Sequence, residues 1–97
     1  MINILKRAEK EHAAGVEFVM ITVVETSGSV PARVGSRMLV MPGETAGTIG
    51  GGALEKDAID FSRDMLKGSG EAQTIRKKVA ELDMRCGGDG TLFFEPF

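Results

Sequence analysis

The sequence predicts a small α/β (α+β) protein: a single domain with a mixed β-sheet and two main helices packed on it. Three observations support this prediction. The chain has 97 residues, which is enough for one hydrophobic core and too few for two. Apolar residues recur with a helical period in two segments and with a strand period in the others. Thirteen glycines, about twice the usual share, separate these segments.

The first helix and the first strand follow from a change of period. Ile2, Leu5 and Ala8 lie at helical spacing with charges between them, which predicts an amphipathic helix that ends near residues 14–15. Residues 17–25 then carry apolar side chains on both alternating faces. Such a strand is typical of the centre of a sheet that is covered on two sides.

A long loop and a hairpin come next. Residues 26–37 hold two glycines and a proline, a density of turn formers that favours a loop. Residues 38–41 and 45–49 have strand character and flank a Pro-Gly pair. They therefore predict a hairpin.

A second helix and two further strands complete the chain. From Ala53 the period is helical up to the Gly-Ser-Gly at residues 68–70. Residues 73–79 alternate with one polar face, which favours an edge strand. After a loop over residues 84–90, residues 91–97 predict a final strand rich in phenylalanine. Its aromatic residues are either core or a surface for a partner: Phe93, Phe94 and Phe97.

The composition argues against several classes of function. Twelve Lys and Arg against fourteen Asp and Glu give a net charge of −2, without the basic patch that nucleic-acid binding requires. We expect no membrane span, because no apolar run approaches the roughly 20 residues needed, and we expect no signal peptide. One cysteine permits no internal disulfide, which fits the cytoplasm. One histidine, His12, gives no support to a zinc site.

The first candidate site is the segment in which a strand runs through Gly50, Gly51 and Gly52 into a helix. Glycines let backbone amides approach an anion, and the first turn of a helix offers unpaired N–H groups. A phosphate or a pterin-like heterocycle would fit here. The alternative is a tight strand-to-helix turn in which Glu55 caps the helix from its first turn.

The second candidate site is the loop that precedes the hairpin. Ser29, Arg33 and Arg37 are its candidate binding residues, because arginine suits bidentate contact with phosphate or carboxylate. The alternative is an ordinary surface loop with solvated arginines.

The third candidate site is the loop with the lone thiol of Cys86, which is followed by Gly87 and Gly88. A cysteine beside Arg85, among glycines that leave amides accessible, is a candidate nucleophile, sulfur carrier or soft-metal ligand. The alternative is a buried and inert cysteine.

Four motifs follow one another along the chain. Residues 23–31 match V-V-x-T-x-G-S-x-P, and residues 35–40 match the strand after it. Residues 47–55 match G-x-I-G-G-G-x-x-E, and residues 84–88 match M-x-C-G-G before a strand that ends in Glu-Pro. In this order, over nearly the whole chain, they resemble the N-terminal domain of the XdhC/CoxI family, the xanthine dehydrogenase accessory factors.

The resemblance implies a cytoplasmic protein that binds the molybdenum cofactor (molybdopterin), a pterin with a phosphate and a dithiolene-held metal. Such proteins pass the cofactor to an apo molybdenum hydroxylase of the xanthine dehydrogenase type. A cysteine desulfurase and a second copy of the chain are the other implied partners. Residues 1–97 correspond to the N-terminal domain, and the C-terminal Rossmann-like domain of many members is absent from this sequence. The chain therefore either acts alone or takes that domain from a separate partner.

On this hypothesis the protein is a cofactor carrier rather than an enzyme. The glycine turn would cradle the phosphate or pterin, the arginines would neutralise it, and Cys86 would face the metal and its sulfur as a ligand or catalytic group. Two alternatives stay open: a small transferase or sulfur-relay enzyme that uses Cys86, and an assembly subunit that does not bind the cofactor. The expected cofactor-binding residues are Ser29, Arg33, Arg37, Gly50, Gly51, Gly52, Glu55, Cys86, Gly87 and Gly88.

Overall fold

The computed structural model describes residues 3–68, 70–78 and 88–97. Within these residues, two helices and five strands form in the order that the sequence predicts, α-β-β-β-α-β-β. The elements are α1 (Ile4–Ala13), β1 (Val19–Gly28), β2 (Arg37–Val40), β3 (Thr45–Gly47), α2 (Gly52–Lys67), β4 (Gln73–Lys78) and β5 (Gly88–Pro96).

The five strands form one sheet in the order β3-β2-β1-β5-β4. β1 is central and β4 lies at an edge, so both predictions from side-chain alternation are confirmed. The predicted fold class is confirmed as well, and the strand directions are now defined. All four pairings among the described residues are antiparallel.

Two strands are longer than predicted, because they pair with each other. Residues 26–28 continue β1, and residues 88–90 open β5 instead of belonging to a loop. Thr26 faces Gly90 and Gly28 faces Gly88 in this ladder. From sequence alone these glycines favour a loop, but pairing between the two strands satisfies the hydrogen bonds of their backbone groups here.

Helix α2 covers one face of the sheet. Its buried residues recur at helical spacing: Leu54, Ala58, Ser62 and Met65. They pack on side chains from β1, β2 and β5, including the fully buried Leu92 and Phe94. Burial of each such large side chain contributes about 1.5–3 kcal/mol to folding. This layer is the larger of the two cores.

Helix α1 covers the other face over β2 and β3. The core of this layer consists of Ala8, Phe18, Met20, Leu39, Met41 and Ala46, with Ile4 and Val16 packed against it. The predicted inward face of α1 was wrong at one position, because Leu5 is 57% exposed. Ile4 takes its place, since residues 4 and 8 lie one turn apart on the helix.

Polar contacts of Asn3 and Arg7 also hold the first two turns of helix α1 in place. The side chain of Asn3 accepts a hydrogen bond from the amide of Lys6 at 3.2 Å and caps the helix. The Arg7 guanidinium donates to Glu11 and to Glu44, each at 2.8 Å. Glu44 lies in the turn between β2 and β3, so this ion pair ties the helix to the hairpin. No helix in the described part of the chain is long and apolar enough to cross a membrane.

Candidate functional site

The described residues of the three glycine-bearing segments lie at one end of the strands, which we call the loop edge. β1 and β3 end at this edge, whereas β2 and β5 begin there, because neighbouring strands are antiparallel. The β1–β2 loop (residues 29–36), the glycine turn (residues 48–51) and residue 88 at the start of β5 are therefore at the same end of the molecule.

The glycine turn lies directly against the β1–β2 loop. A Cβ atom placed on Gly50 would be 2.8 Å from the carbonyl oxygen of Pro31 and 3.0 Å from the amide nitrogen of Ala32. Gly50 also has a φ of 125°, which side-chain-bearing residues rarely adopt. Glycine at this position permits contact between the two backbones.

The start of β5 lies against the beginning of the same loop. A Cβ atom on Gly88 would be 2.5 Å from the carbonyl oxygen of Ser27 and 2.9 Å from the amide nitrogen of Ser29. Farther along β5, a Cβ atom on Gly90 would be 3.4 Å from the Leu54 side chain at the start of α2. The β1–β2 loop thus contacts one glycine at its first residue and another at residues 31–32.

Glu55 folds back from the first turn of α2 into the glycine turn. Its Oε1 atom accepts hydrogen bonds from the Thr48 hydroxyl at 2.5 Å, the Ile49 amide at 2.9 Å and the Gly51 amide at 3.2 Å. The Gly50 amide donates to the Thr48 hydroxyl oxygen at 3.0 Å. One carboxylate oxygen therefore holds three of the four residues of the turn.

These hydrogen bonds also change the acidity of Glu55. Partial burial raises the pKa of the carboxyl, but the hydrogen bonds from Thr48, Ile49 and Gly51 together outweigh burial and lower the pKa below its ordinary value. The carboxylate is consequently ionised at neutral pH and serves as an anion at the start of α2, where the helix dipole favours one.

The contacts of Glu55 agree with the alternative interpretation, a tight strand-to-helix turn in which Glu55 caps the helix from its first turn. The amides of Ile49 and Gly51 donate to the chain's own carboxylate. Contact of Gly50, Gly51, Gly52 or Glu55 with a cofactor stays a prediction.

A groove of about 560 Å³ opens beside the β1–β2 loop and the glycine turn. Ile4 and Leu5 of α1 provide apolar side chains, Ser36 and Thr48 provide hydroxyls, and Arg37 provides a guanidinium. Arg37 is the first residue of β2 and is exposed. The groove thus combines an apolar wall with one cation, a combination that suits a flat heterocycle with an anionic substituent.

The other candidates on the β1–β2 loop are also at the surface. Ser29 and Arg33 are exposed, and the Arg33 carbonyl accepts a hydrogen bond from the Ser36 amide at 3.0 Å. Neither Arg33 nor Arg37 forms an ion pair with any carboxylate within residues 3–68, 70–78 and 88–97. Both guanidiniums therefore carry charge that no described carboxylate neutralises.

Two of the predicted site residues, Cys86 and Gly87, lie outside the described residues. Gly88, the next residue in the sequence, is placed at the loop edge. Within the described ranges no group of three or more His, Cys, Asp and Glu side chains could hold a metal ion. His12 is exposed on α1 and lines a separate apolar cleft with Phe18.

The sequence did not indicate that the start of α1 forms part of this site. A Cβ atom on Gly47 would lie 2.6 Å from Cδ1 of Ile4, so a glycine in β3 lets the helix approach the groove. No local pattern encodes this contact between distant segments. Thr48 was easier to find, because it is a hydroxyl residue inside the glycine-rich motif.

A profile of the XdhC and CoxI family matches residues 11–77, a range that includes the β1–β2 loop, the groove residues Arg37 and Thr48, and the whole glycine turn. The chain belongs to the XdhC and CoxI family. The resemblance predicted from the four motifs is therefore confirmed. No curated protein matches this family member in the sequence comparison.

The fold of this XdhC/CoxI chain also occurs in a solved structure. A crystal structure from Bacillus halodurans, described as that of a xanthine dehydrogenase, is similar with a TM-score of 0.77 and 22% sequence identity. The match covers 98% of this chain and 30% of that chain. The present chain thus corresponds to less than a third of the length of that protein.

Proposed function

We propose that this XdhC/CoxI chain binds the molybdenum cofactor as cargo and assists maturation of a molybdenum hydroxylase of the xanthine dehydrogenase type. The observation that carries the proposal is the groove at the loop edge, where Arg37 lies beside apolar side chains and has no described carboxylate partner. Family membership and the similar fold of a structure described as a xanthine dehydrogenase support it.

The residues of the groove fit the chemistry of a pterin that carries a phosphate. Ile4 and Leu5 offer apolar surface to a flat ring, and Arg37 offers a planar cation that suits phosphate oxygens. The hydroxyl of Ser36 can donate to a ring nitrogen or oxygen, whereas the Thr48 hydroxyl, whose proton goes to Glu55, can only accept from a ring N–H group. Arg33 and Ser29, exposed on the adjoining loop, are proposed to contact the phosphate from outside.

The glycine turn and the start of β5 complete the proposed site. Gly50 and Glu55 hydrogen-bond to Thr48, which lines the groove, and Gly88 lies against Ser29 at the start of the β1–β2 loop. Gly51 and Gly52, the neighbours of Gly50 in the sequence, are proposed to belong to the same site. We assign Cys86 and Gly87, which precede Gly88 in the sequence, to the metal and sulfur end of the cargo, because a thiolate is a soft ligand. When bound in the client enzyme, the cofactor supplies redox chemistry at molybdenum.

The proposal describes a cytoplasmic carrier rather than an enzyme. Its partners are an apo molybdenum hydroxylase, which receives the cofactor, and a cysteine desulfurase, which supplies sulfur. A second copy of the chain is proposed as a further partner, with residues 1–97 serving as the N-terminal domain.

Binding of purified cofactor to the full chain tests the proposal. Molybdenum that coelutes with the protein in gel filtration is measured for the wild type and for Arg37→Ala. Loss of a charge-assisted contact with phosphate costs about 1.5–3 kcal/mol, so the Kd of Arg37→Ala should rise about tenfold to a hundredfold. Lys67→Ala is the matched control, because Lys67 is an exposed cation in the last turn of α2, far from the groove.

Equal affinity of Arg37→Ala and the wild type would contradict the assignment of this groove. A second measurement concerns Cys86. We expect Cys86→Ala to reduce activation of the apo hydroxylase, whereas full activation would remove this thiol from the mechanism. A mass increase of one sulfur atom on Cys86 after incubation with a desulfurase would instead favour the sulfur-relay enzyme.

A further inference from the structure

We propose that Glu55 is a positioning residue for the cargo site: its carboxylate sets the shape of the β1–β2 loop and of the groove wall, and it does not itself touch the cargo. This inference rests on the proposed function, whose site it explains further. Three contacts link Glu55 to the residues that would bind the cargo.

The first contact is the attachment of the carboxylate to its own turn. Glu55 Oε1 accepts from the Thr48 hydroxyl, the Ile49 amide and the Gly51 amide. An arriving phosphate would have to displace the carboxylate to use these two amides. The anion that the start of α2 attracts is therefore already part of the chain.

The second contact carries the shape of the turn to the β1–β2 loop. Gly50 lies between Thr48 and Gly51, and its amide donates to the Thr48 hydroxyl oxygen at 3.0 Å. The same glycine lies against the backbone of Pro31, with no room for a Cβ atom. Because the contact joins two backbones, a shift of the turn displaces the loop directly.

The third contact reaches the groove itself. Thr48 lines the groove together with Arg37 and Ser36, and its hydroxyl proton is donated to Glu55. Glu55 therefore fixes the rotamer of a side chain in the groove wall. Loss of the carboxylate should release both the wall and the loop, although Glu55 itself does not contact the cargo.

A measurement without ligand tests the link to the loop. Amide hydrogen exchange of the full chain is compared for the wild type, Glu55→Ala, Glu55→Gln and the control Lys56→Ala, which removes an exposed side chain from the same helical turn. The reporters are the amides of Gly35 and Ser36, which donate to Val23 and Arg33. Glu55→Ala should speed their exchange at least tenfold, and the Lys56→Ala control should leave it unchanged.

The glutamine variant separates positioning from direct contact with the cargo. Its side-chain oxygen still accepts hydrogen bonds, so Glu55→Gln should keep exchange rates and the Kd for molybdopterin within about threefold of the wild type. The Kd of Glu55→Ala should rise at least tenfold. If the carboxylate charge contacts the cargo directly, Glu55→Gln should bind as weakly as Glu55→Ala, and the positioning role would be wrong.

The two proposals can fail separately. A wild-type chain that binds no molybdopterin would overturn the proposed function, whereas unchanged exchange in Glu55→Ala would overturn the role of Glu55. If Glu55→Ala does not fold, Thr48→Val replaces it, since this variant removes the hydroxyl that links the carboxylate to the groove. Thr48→Val should then speed exchange at Gly35 and Ser36, and wild-type rates in that variant would contradict the proposal.

Discussion

Gly50 and Pro31 lie backbone against backbone, with 2.8 Å between the Pro31 carbonyl oxygen and the position that a Cβ atom on Gly50 would occupy. This contact joins the glycine turn to the β1–β2 loop. Residue 50 must be glycine for two reasons: a Cβ atom has no space, and φ is 125°. Substitutions at different glycines can distinguish the cost of the clash from the cost of the backbone conformation.

Gly50→Ala should destabilise the protein by about 3–5 kcal/mol, because strain and a backbone clash add. Gly51→Ala should cost about 1–3 kcal/mol, because Gly51 has a φ of 77° but open space around it. Gly43→Ala, also in open space, should change stability by less than about 0.5 kcal/mol. Urea unfolding measures the free energy of unfolding of the three variants. A Gly50→Ala variant as stable as Gly51→Ala would contradict the contact between Gly50 and Pro31.

The stabilisation by Glu55 should depend on pH. Its folded-state pKa is lowered, below the ordinary value of about 4.3 for an unfolded chain. The ionised carboxylate therefore stabilises the fold above that value, and this contribution disappears as the pH falls through the folded-state pKa. Free energies of unfolding for the wild type and Glu55→Gln, measured from pH 7 down to pH 3, should converge on acidification. A constant difference would show that ionisation of Glu55 does not stabilise the fold.

Ser62→Ala should stabilise the protein. Ser62 is fully buried in α2, and its hydroxyl has no hydrogen-bond partner among the described residues. Removal of an unsatisfied hydroxyl and the better helix propensity of alanine should together contribute about 1 kcal/mol. For a chain of this size that corresponds to a rise in Tm of about 4–8 °C. A lower Tm would mean that the hydroxyl does have a partner.

Truncation to alanine should change the free energy of unfolding by very different amounts at two leucines. Leu92→Ala should cost about 2–5 kcal/mol, because Leu92 is fully buried between β1, β4 and α2. Leu5→Ala is the matched control and should cost less than about 0.5 kcal/mol, because Leu5 is 57% exposed. Chemical denaturation measures both, and a large cost at Leu5 would indicate that this side chain is covered in solution.

The order and type of the helices and strands could be predicted, because each element has its own period of apolar residues. The alternation through Met20 and Ile21 identified β1 as the central strand, and the polar face of residues 73–79 identified an edge. The phase of α1 was harder to predict. Ile4 and Leu5 are both apolar neighbours, and only packing on β3 at Gly47 determines which one turns inward.

The residues of the candidate site could be predicted from the sequence, but their arrangement in space could not. Ser29, Arg37 and the glycines stand out by type and spacing, whereas their meeting depends on the pairing of β1 with β5 and on the contact of Gly50 with Pro31. The contribution of α1 to the groove is likewise a consequence of tertiary packing. Local sequence carries no information about which distant backbone a glycine will contact.

The groove wall formed by Asn3 and Leu5 affects how this protein should be produced for study. A purification tag fused directly ahead of α1 would be attached near Asn3, beside the proposed cargo site. A tag after Phe97 would be attached at the opposite end of the sheet. There the ring of Phe97 stacks on the ring of Phe18, with 5.1 Å between the ring centroids. Material for the binding measurements should therefore carry its tag at the carboxyl end.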